Sequence, residues 1–249
     1  MHYTSTPYEQ QFAEQFELVE ANTAELISMC KKLRYQIYCE ERGHLSADSF
    51  VKMEEDHYDE HSIQTLLRDK VSNEYIATVR LILSHKTEKR FHYPLEEHID
   101  EKNHEAIDMI NSVPKDQTAE ISRFSISKQF RKRYKNLTHV TDKEHGPRNS
   151  RNIDALITIG LFKAITKMSV ENNVTNWLAF MEPSLLRLLS RLGVSFDTHG
   201  PLLDYCGKRY PCKNTVEDVL NGIKKVKPEV WRLITDNGKV TYHQFTLAK

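Results

Sequence analysis

Apolar residues recur at helical spacing at Leu26, Cys30, Leu33 and Ile37, a period that predicts an amphipathic helix. Asn22 suits its cap, with Glu25 three residues on at capping-box spacing. Arg34, Tyr38 and Glu41 fall on a neighbouring face, and Gly43 suits the stop. Residues 44–60 are polar and acidic and read as a loop. Two β-rich runs follow, Ser62–Arg68 and Tyr75–Leu83, around a turn containing Asn73. Residues 85–118 are polar, hold Pro94 and Pro114, and read as a partly helical insertion suited to a lid. Ala119–Ser127 alternates as a strand does.

Residues 128–151 are basic, and Gly146-Pro147 breaks any helix there. From a cap at Asn152, a stripe of Ile153, Leu156, Ile157, Gly160, Leu161, Ala164, Ile165 and Met168 predicts a long helix. Val174–Met181 reads as a strand, and Pro183 opens a helix over Ser184–Leu192 that Gly193 ends. A strand pair is expected around Val194–Phe196 and Leu202–Cys206, then short helices at Val216–Lys225 and Glu229–Ile234. Strands alternating with helices argue α/β or α+β with a mixed central sheet. No internal repeat or composition break divides the 249 residues, so 1–249 is expected to be one domain, with an insertion at 85–118 and a C-terminal extension at 207–249.

Composition narrows the function. Lys+Arg and Asp+Glu balance at 35 each, so no bulk charge argues for nucleic acid. The four cysteines, Cys30, Cys39, Cys206 and Cys212, form no C-x-x-C pair and read as thiols in a reducing compartment. The twelve histidines show no ligand spacing, so no metal site is expected. The sequence starts with no basic-then-apolar leader and has no run of membrane-spanning length. A cytoplasmic protein with at most peripheral membrane contact is expected.

Charge is nevertheless concentrated locally. Arg34 lies on the first helix, Glu55-Asp56-His57-Tyr58-Asp59 in the following loop, and Arg80 in the second strand run. Glu120-Ile121-Ser122-Arg123-Phe124-Ser125-Ile126 forms the next strand. A spacing of three on a strand sets Glu120 and Arg123 on opposite faces unless a bulge rotates them. Such a set can shape a polar pocket, or it can be a structural salt-bridge lattice facing water.

The order and spacing of these groups resemble the acyl-homoserine-lactone (autoinducer) synthases and the related N-acyl amino acid synthases. The matching positions are Arg34 with Tyr38, then Asp56-His57-Tyr58-Asp59, then Arg80, then Glu120-Ile121-Ser122-Arg123. The resemblance covers roughly residues 25–200. Pro94-Leu95-Glu96 and Tyr205-Cys206-Gly207-Lys208-Arg209-Tyr210-Pro211 further resemble acyltransferase-like proteins associated with bacterial PEP-CTERM/exosortase systems. All belong to the N-acetyltransferase-like (GNAT-type) superfamily. The resemblance therefore implies a mixed sheet splayed at its middle, here between 119–127 and 174–181, with acyl-pantetheine in the opening.

It also implies transfer of a long-chain acyl group from a carrier thioester to the amine of an amino acid or similar molecule. Glu120 would be the base, with Ser122, Arg123 and Phe124 beside it and backbone N–H groups from Phe124 to Ile126 holding the oxyanion. Arg34, Tyr38, Asp56, Asp59, Arg80 and Phe180 would shape the acceptor pocket, and Phe162, Trp177, Phe180 and Leu185 are candidates to line the path of the acyl chain between sheet and helices. Ser125, Ile126, Lys128, Arg131, Arg133 and Arg151 would receive the pantetheine arm. The superfamily's Gly-rich pyrophosphate loop is missing, since only Gly146 stands in this region, beside Pro147. That favours acyl carrier protein (ACP) over acyl-coenzyme A as donor, with no permanently bound cofactor. Two alternatives are a plain acetyl-coenzyme A N-acetyltransferase and a non-catalytic acyl-ligand sensor. Cys39 and Cys206 lack a His–Asp arrangement that would make either a nucleophile.

Overall fold

The computed structural model describes residues 7–46, 50–84, 91–141 and 146–240; the side chains of 7, 135–141 and 146–152 fall outside that set. Helix α1 (Pro7–Gln15) leads into strand β1 (Phe16–Glu20) and helix α2 (Ala24–Tyr35), which continues as a π-helical stretch, Gln36–Glu41. After a short 3₁₀ turn at His57–His61 come β2 (Ser62–Asp69), β3 (Glu74–Leu83), α3 (Pro94–Glu97), α4 (His104–Asn111) and β4 (Thr118–Ile126). Then follow α5 (Lys128–Thr141), α6 (Gly146–Glu171), β5 (Asn176–Met181), α7 (Pro183–Ser190), β6 (Asp197–Thr198), β7 (Leu203–Asp204) and β8 (Lys208–Thr215), with α8 (Val216–Val226) and α9 (Pro228–Ile234) last. The sheet order is β1-β2-β3-β4-β5-β8-β6, and β7 pairs with β8.

The chain divides into two compact units. The first comprises Met1–Asp56, Gln64–Val79 and Arg123–Ala164. Its core includes Cys30, Leu33 and Ile37 of the expected α2 stripe, packed with Tyr38 and with Leu66 of β2. The cap is Thr23 and not Asn22: the Thr23 hydroxyl accepts the Leu26 N–H, which is worth about 1 kcal/mol. Strand β1 was not expected, and it pairs antiparallel with β2 from Phe16↔Asp69 to Glu20↔Thr65. The basic stretch, for which no helix was expected, holds α5, and α6 begins at Gly146, ahead of the Asn152 cap expected from sequence.

The second unit comprises His57–Ile63, Arg80–Ser122 and Ile165–Lys249. Phe91, Tyr93, Leu95, Met109 and Ile110 form a core cluster there with Ile82, Leu178 and Phe180. The stretch read as a polar insertion therefore supplies part of a core, because its apolar residues are concentrated beyond its charged start. Strand β5 is buried along almost its whole length. It pairs in parallel with β4 over Thr118–Ile121 and antiparallel with β8 from Asn176↔Thr215 to Met181↔Tyr210. The β8 strand replaces the tail pairing expected from sequence. It is polar and holds Pro211, a residue that argues against strand; the Pro211 carbonyl instead accepts the His199 N–H at 2.9 Å.

Two glycines fix where α8 packs. A Cβ on Gly222 would lie 2.7 Å from the Gly193 carbonyl oxygen, and Gly193 itself has φ of +81°. Gly222→Ala should gain about 1 kcal/mol of helix propensity but lose about 1–3 kcal/mol to overpacking against backbone. A net fall in unfolding free energy by urea titration is the expected result, whereas a stabilised variant would show that the turn at Gly193 yields.

Candidate active site

In the first unit, Arg34 is fully buried beside Glu54, its Nε 2.6 Å from Oε2. Its Nη2 donates to the Glu54 carbonyl at 2.6 Å and its Nη1 to Gln64 Oε1 at 3.0 Å. Glu54 also receives Arg123: Nε lies 3.1 and 3.2 Å from its two oxygens, and Nη2 lies 2.8 Å from Oε1. The same Nη2 donates to Asp56 Oδ2 at 2.9 Å. The Arg123 guanidinium also sits over the Tyr38 ring, 5.5 Å from its centroid. One carboxylate thus bridges two arginines carried by α2 and β4.

Backbone geometry produces this convergence. Arg123 has φ of +50°, a left-handed conformation costing a side-chain-bearing residue about 1–3 kcal/mol. It breaks the strand alternation at Arg123, whose guanidinium meets Glu54 and Asp56. The charge-assisted bonds to Glu54 offset that strain. Burial by itself would lower the Arg123 pKa, but bonding to Glu54 and the charges of Glu54, Tyr38 and Asp56 raise it well above the ordinary arginine value. Its guanidinium is a permanent cation.

A cavity of about 490 Å³ opens against this network, lined by Leu45, Ser46, Val51, Met53, Glu54, Glu55, Asp56 and Arg123. Its walls combine carboxylates with apolar side chains. The Cys39 thiol is pushed up by burial and then by Glu54 and Glu40, against the opposing influence of Arg123. It stays protonated near neutrality, as does Cys212, raised by burial to about 12.

The second unit holds the other charged group. Buried Arg80 donates to Asp59 Oδ1 at 3.1 Å and to Ser122 Oγ at 3.2 Å. Glu120 is 3% exposed. Its Oε2 accepts the Leu95 N–H at 2.9 Å, which anchors the start of α3. Tyr93 donates its hydroxyl to the Thr118 carbonyl at 2.6 Å. Burial first, then the charges of Glu120 and Glu96, raise its pKa far above the usual tyrosine value despite a bond to Ser84. Phe180 lies in the core cluster, its ring 5.2 Å from Tyr205.

The remaining expected residues lie in the first unit. Phe124 packs on Phe162 with ring centroids 5.7 Å apart. Ser125 and Ile126 are buried, and the Ser125 hydroxyl donates to the Arg123 carbonyl at 3.1 Å. Arg131 pairs with Asp154 at 2.9 Å, Arg133 with Glu74, and Lys128 Nζ donates to the Glu41 carbonyl at 3.0 Å. Arg151 is in α6, its side chain outside the described residues. Of the lining candidates, Phe162 and Trp177 are buried, and the Trp177 indole donates to Ser169 Oγ at 2.8 Å. Sequence reasoning missed Glu54 and Gln64. Glu54 had a signal, since it opens the acidic run whose later members were singled out; Gln64 had none. Among the described residues, no group of three or more His, Cys, Asp or Glu could hold a metal ion.

Residues 33–140 match the family model described as an acetyltransferase (GNAT) domain. TofI, in a ternary complex with an inhibitor and MTA, superposes with a TM-score of 0.58 at 18% identity, covering 87% of this chain and 99% of that one. The chain has the GNAT acyltransferase fold. BjaI, a CoA-dependent acyl-homoserine lactone synthase bound to SAM and isopentyl-CoA, gives a TM-score of 0.56 at 16% identity, covering 87% of this chain and 89% of its own. FeeM, an N-acyl amino acid synthase from uncultured soil microbes, gives 0.54 at 13%, covering 83% and 93%. No curated protein matches the sequence. Within this GNAT fold, the family match runs from the end of α2 through the acidic loop, β2, β3, β4 and most of α5, so it includes Arg34, Glu54, Asp56, Asp59, Arg80, Glu120 and Arg123. No described helix is long and apolar enough to cross a membrane.

Proposed function

We propose that this protein is an N-acyltransferase that moves a long-chain fatty acyl group from an acyl carrier protein thioester to the amine of an amino acid or similar small molecule. The observation that carries the reading is the Arg34–Glu54–Arg123–Asp56 network and the cavity of about 490 Å³ it lines. In an ordinary surface lattice such pairs stand in water, whereas here Arg34 is fully buried and Glu54 is 5% exposed. Desolvated, bidentate pairs of this kind hold fixed geometry. Structures of the same fold under the names acyl-homoserine lactone synthase and N-acyl amino acid synthase support the same chemistry. The association with PEP-CTERM/exosortase systems rests on the Pro94–Glu96 and Tyr205–Pro211 sequence motifs. The proposal treats 1–249 as one catalytic domain.

Amide formation sets the roles. The amine enters as an ammonium and meets the carboxylates of Glu55 and Asp56 on the cavity wall, while Glu54 is held between its two arginines. It must lose a proton before its lone pair attacks the thioester carbonyl, and Glu120 takes that proton. Backbone N–H groups of β4 after Arg123 steady the oxyanion. After attack the nitrogen gives up its second proton as the C–S bond breaks, and that proton ends on the departing carrier thiol, leaving the neutral amide. Arg34, Tyr38 and Arg123 set the acceptor wall, Arg80 fixes Asp59 and Ser122, and no enzyme-bound acyl intermediate forms.

The test is acyl transfer by purified protein offered long-chain acyl-ACP with a panel of amino acids and small amines, followed by mass spectrometry of products and lipid extracts. New N-acyl amines with stoichiometric carrier thiol are expected. Binding of acyl-ACP with no thiol release across the panel would replace the enzyme reading with the sensor reading.

A further inference from the structure

The start of α5 is filled by the protein's own carboxylate. The first amides of a helix lack intrahelical partners and attract anions. Here Lys128 N–H donates to Glu41 Oε2 at 2.7 Å and Gln129 N–H to Glu41 Oε1 at 3.4 Å. Phe130 N–H donates to Ser127 Oγ at 3.3 Å, and that hydroxyl donates to Glu41 Oε1 at 3.1 Å. Gln36 Nε2 braces the assembly, 2.9 Å from Glu41 Oε1 and 3.1 Å from Ser127 Oγ. Glu41 is delivered by the π-helical end of α2, a geometry that shifts the register of the last turn.

Three further observations bear on the same point. Arg131 and Arg133, the cations one turn into α5, are bound to Asp154 and Glu74. The Lys128 ammonium is turned back to the Glu41 carbonyl. No glycine occurs between Thr118 and Gly146 to let backbone approach a diphosphate. The junction therefore offers an incoming polyanion a carboxylate in place of open amides.

We infer that Glu41 is a donor-specificity residue: as an internal anion on the α5 N-terminus it excludes a diphosphate-bearing donor such as coenzyme A, and leaves usable a carrier-borne pantetheine with its single phosphodiester. The inference rests on the acyl-transfer reading for its biological meaning but not for its geometry. Entry of a diphosphate must displace Glu41 from its amide partners or place two anions side by side.

The test is coenzyme A binding to the full-length protein by isothermal titration calorimetry, wild type against Glu41→Gln, with inorganic pyrophosphate as a second probe. The glutamine keeps one acceptor oxygen, enough for Ser127 and the Gln129 amide, and removes both the charge and the acceptor of the Lys128 amide. Both probes should bind the variant about tenfold tighter or more, a gain equivalent to one displaced charge contact. The KM for long-chain acyl-ACP should change less than about twofold, the bound expected if that donor does not meet Glu41. Equal affinities in the two proteins would reduce Glu41 to a helix cap and overturn the inference. If Glu41→Gln does not fold, hydrogen exchange of the wild type decides: coenzyme A at saturation should raise exchange across 36–43, and binding that leaves that segment protected overturns it. Because calorimetry needs no turnover, its failure is distinguishable from failure of the acyltransferase reading.

Discussion

Glu54→Ala is expected to lower the unfolding free energy by about 3–5 kcal/mol, the cost of removing one partner from a buried ion pair. Arg34 is fully buried and Arg123 is 10% exposed, and both lean on this one carboxylate. In the variant Arg34 keeps Gln64 and the residue-54 carbonyl, and Arg123 keeps Asp56. The neutral acceptors left to Arg34 do not replace the Glu54 carboxylate, and Arg123 is left with one of its two carboxylates. Arg123 would also lose the bonds that hold its left-handed backbone, so the strand would relax toward regular alternation and turn the side chain away from the cavity.

Total stabilities of ordinary domains lie near 5–15 kcal/mol, so this variant sits close to the folding threshold and is best measured by urea titration at low temperature. Glu54→Gln keeps volume and one acceptor and should lose less. Pairing it with Arg123→Met gives a double-mutant cycle whose coupling energy should be about 1–3 kcal/mol. A loss under about 1 kcal/mol for Glu54→Ala would mean that water reaches the pair and that the network is a surface lattice.

The parts of this protein that were legible in its sequence are those whose signal is local. The α2 stripe of Cys30, Leu33 and Ile37 packs as its spacing requires, because a period of 3.6 acts within one element. The Pro183 start and Gly193 stop of α7 are properties of single residues. The misses are nonlocal. Strand β8 is polar and contains Pro211, and it is a strand because buried β5 needs a partner on its second side. Likewise α5 is rich in charge and lacks an early stop, but its stability comes from Glu41, Asp154 and Glu74 elsewhere in the chain.

The candidate site shows the same division. Arg34, Asp56 and Arg123 were visible as residue types in order, and they do share one network. Its hub, Glu54, was hidden among acidic neighbours, because nothing in a charge run distinguishes the one carboxylate that will be buried. The positive φ of Arg123 was equally unreadable. Within a strand such a conformation persists where other contacts offset its cost, and the contacts of Arg123 come from Glu54 and Asp56, far away in sequence.

The second large effect is kinetic. Glu120→Gln should lower acyl-transfer turnover by about 10²–10⁴-fold, the usual span for loss of a positioned general base, with the fold retained. The substitution separates two roles that the geometry combines. Glu120 anchors α3 through the Leu95 N–H, and a glutamine oxygen can accept that bond unchanged. It cannot accept a proton from an ammonium nucleophile. Tyr93 cannot take over, since its hydroxyl is buried, donates to the Thr118 carbonyl and is held protonated. The measurement is single-turnover transfer from acyl-ACP, with thermal unfolding followed in parallel. If Glu120 serves α3 alone, Glu120→Gln will be near wild type in rate while Glu120→Ala loses stability, because the alanine leaves the Leu95 amide without an acceptor. If Glu120 is the base, both variants lose turnover and only the alanine loses stability. The residual rate of Glu120→Gln should also rise with pH, as free amine replaces ammonium without help from the protein; a pH-independent residue of activity would point to another proton acceptor on the chain.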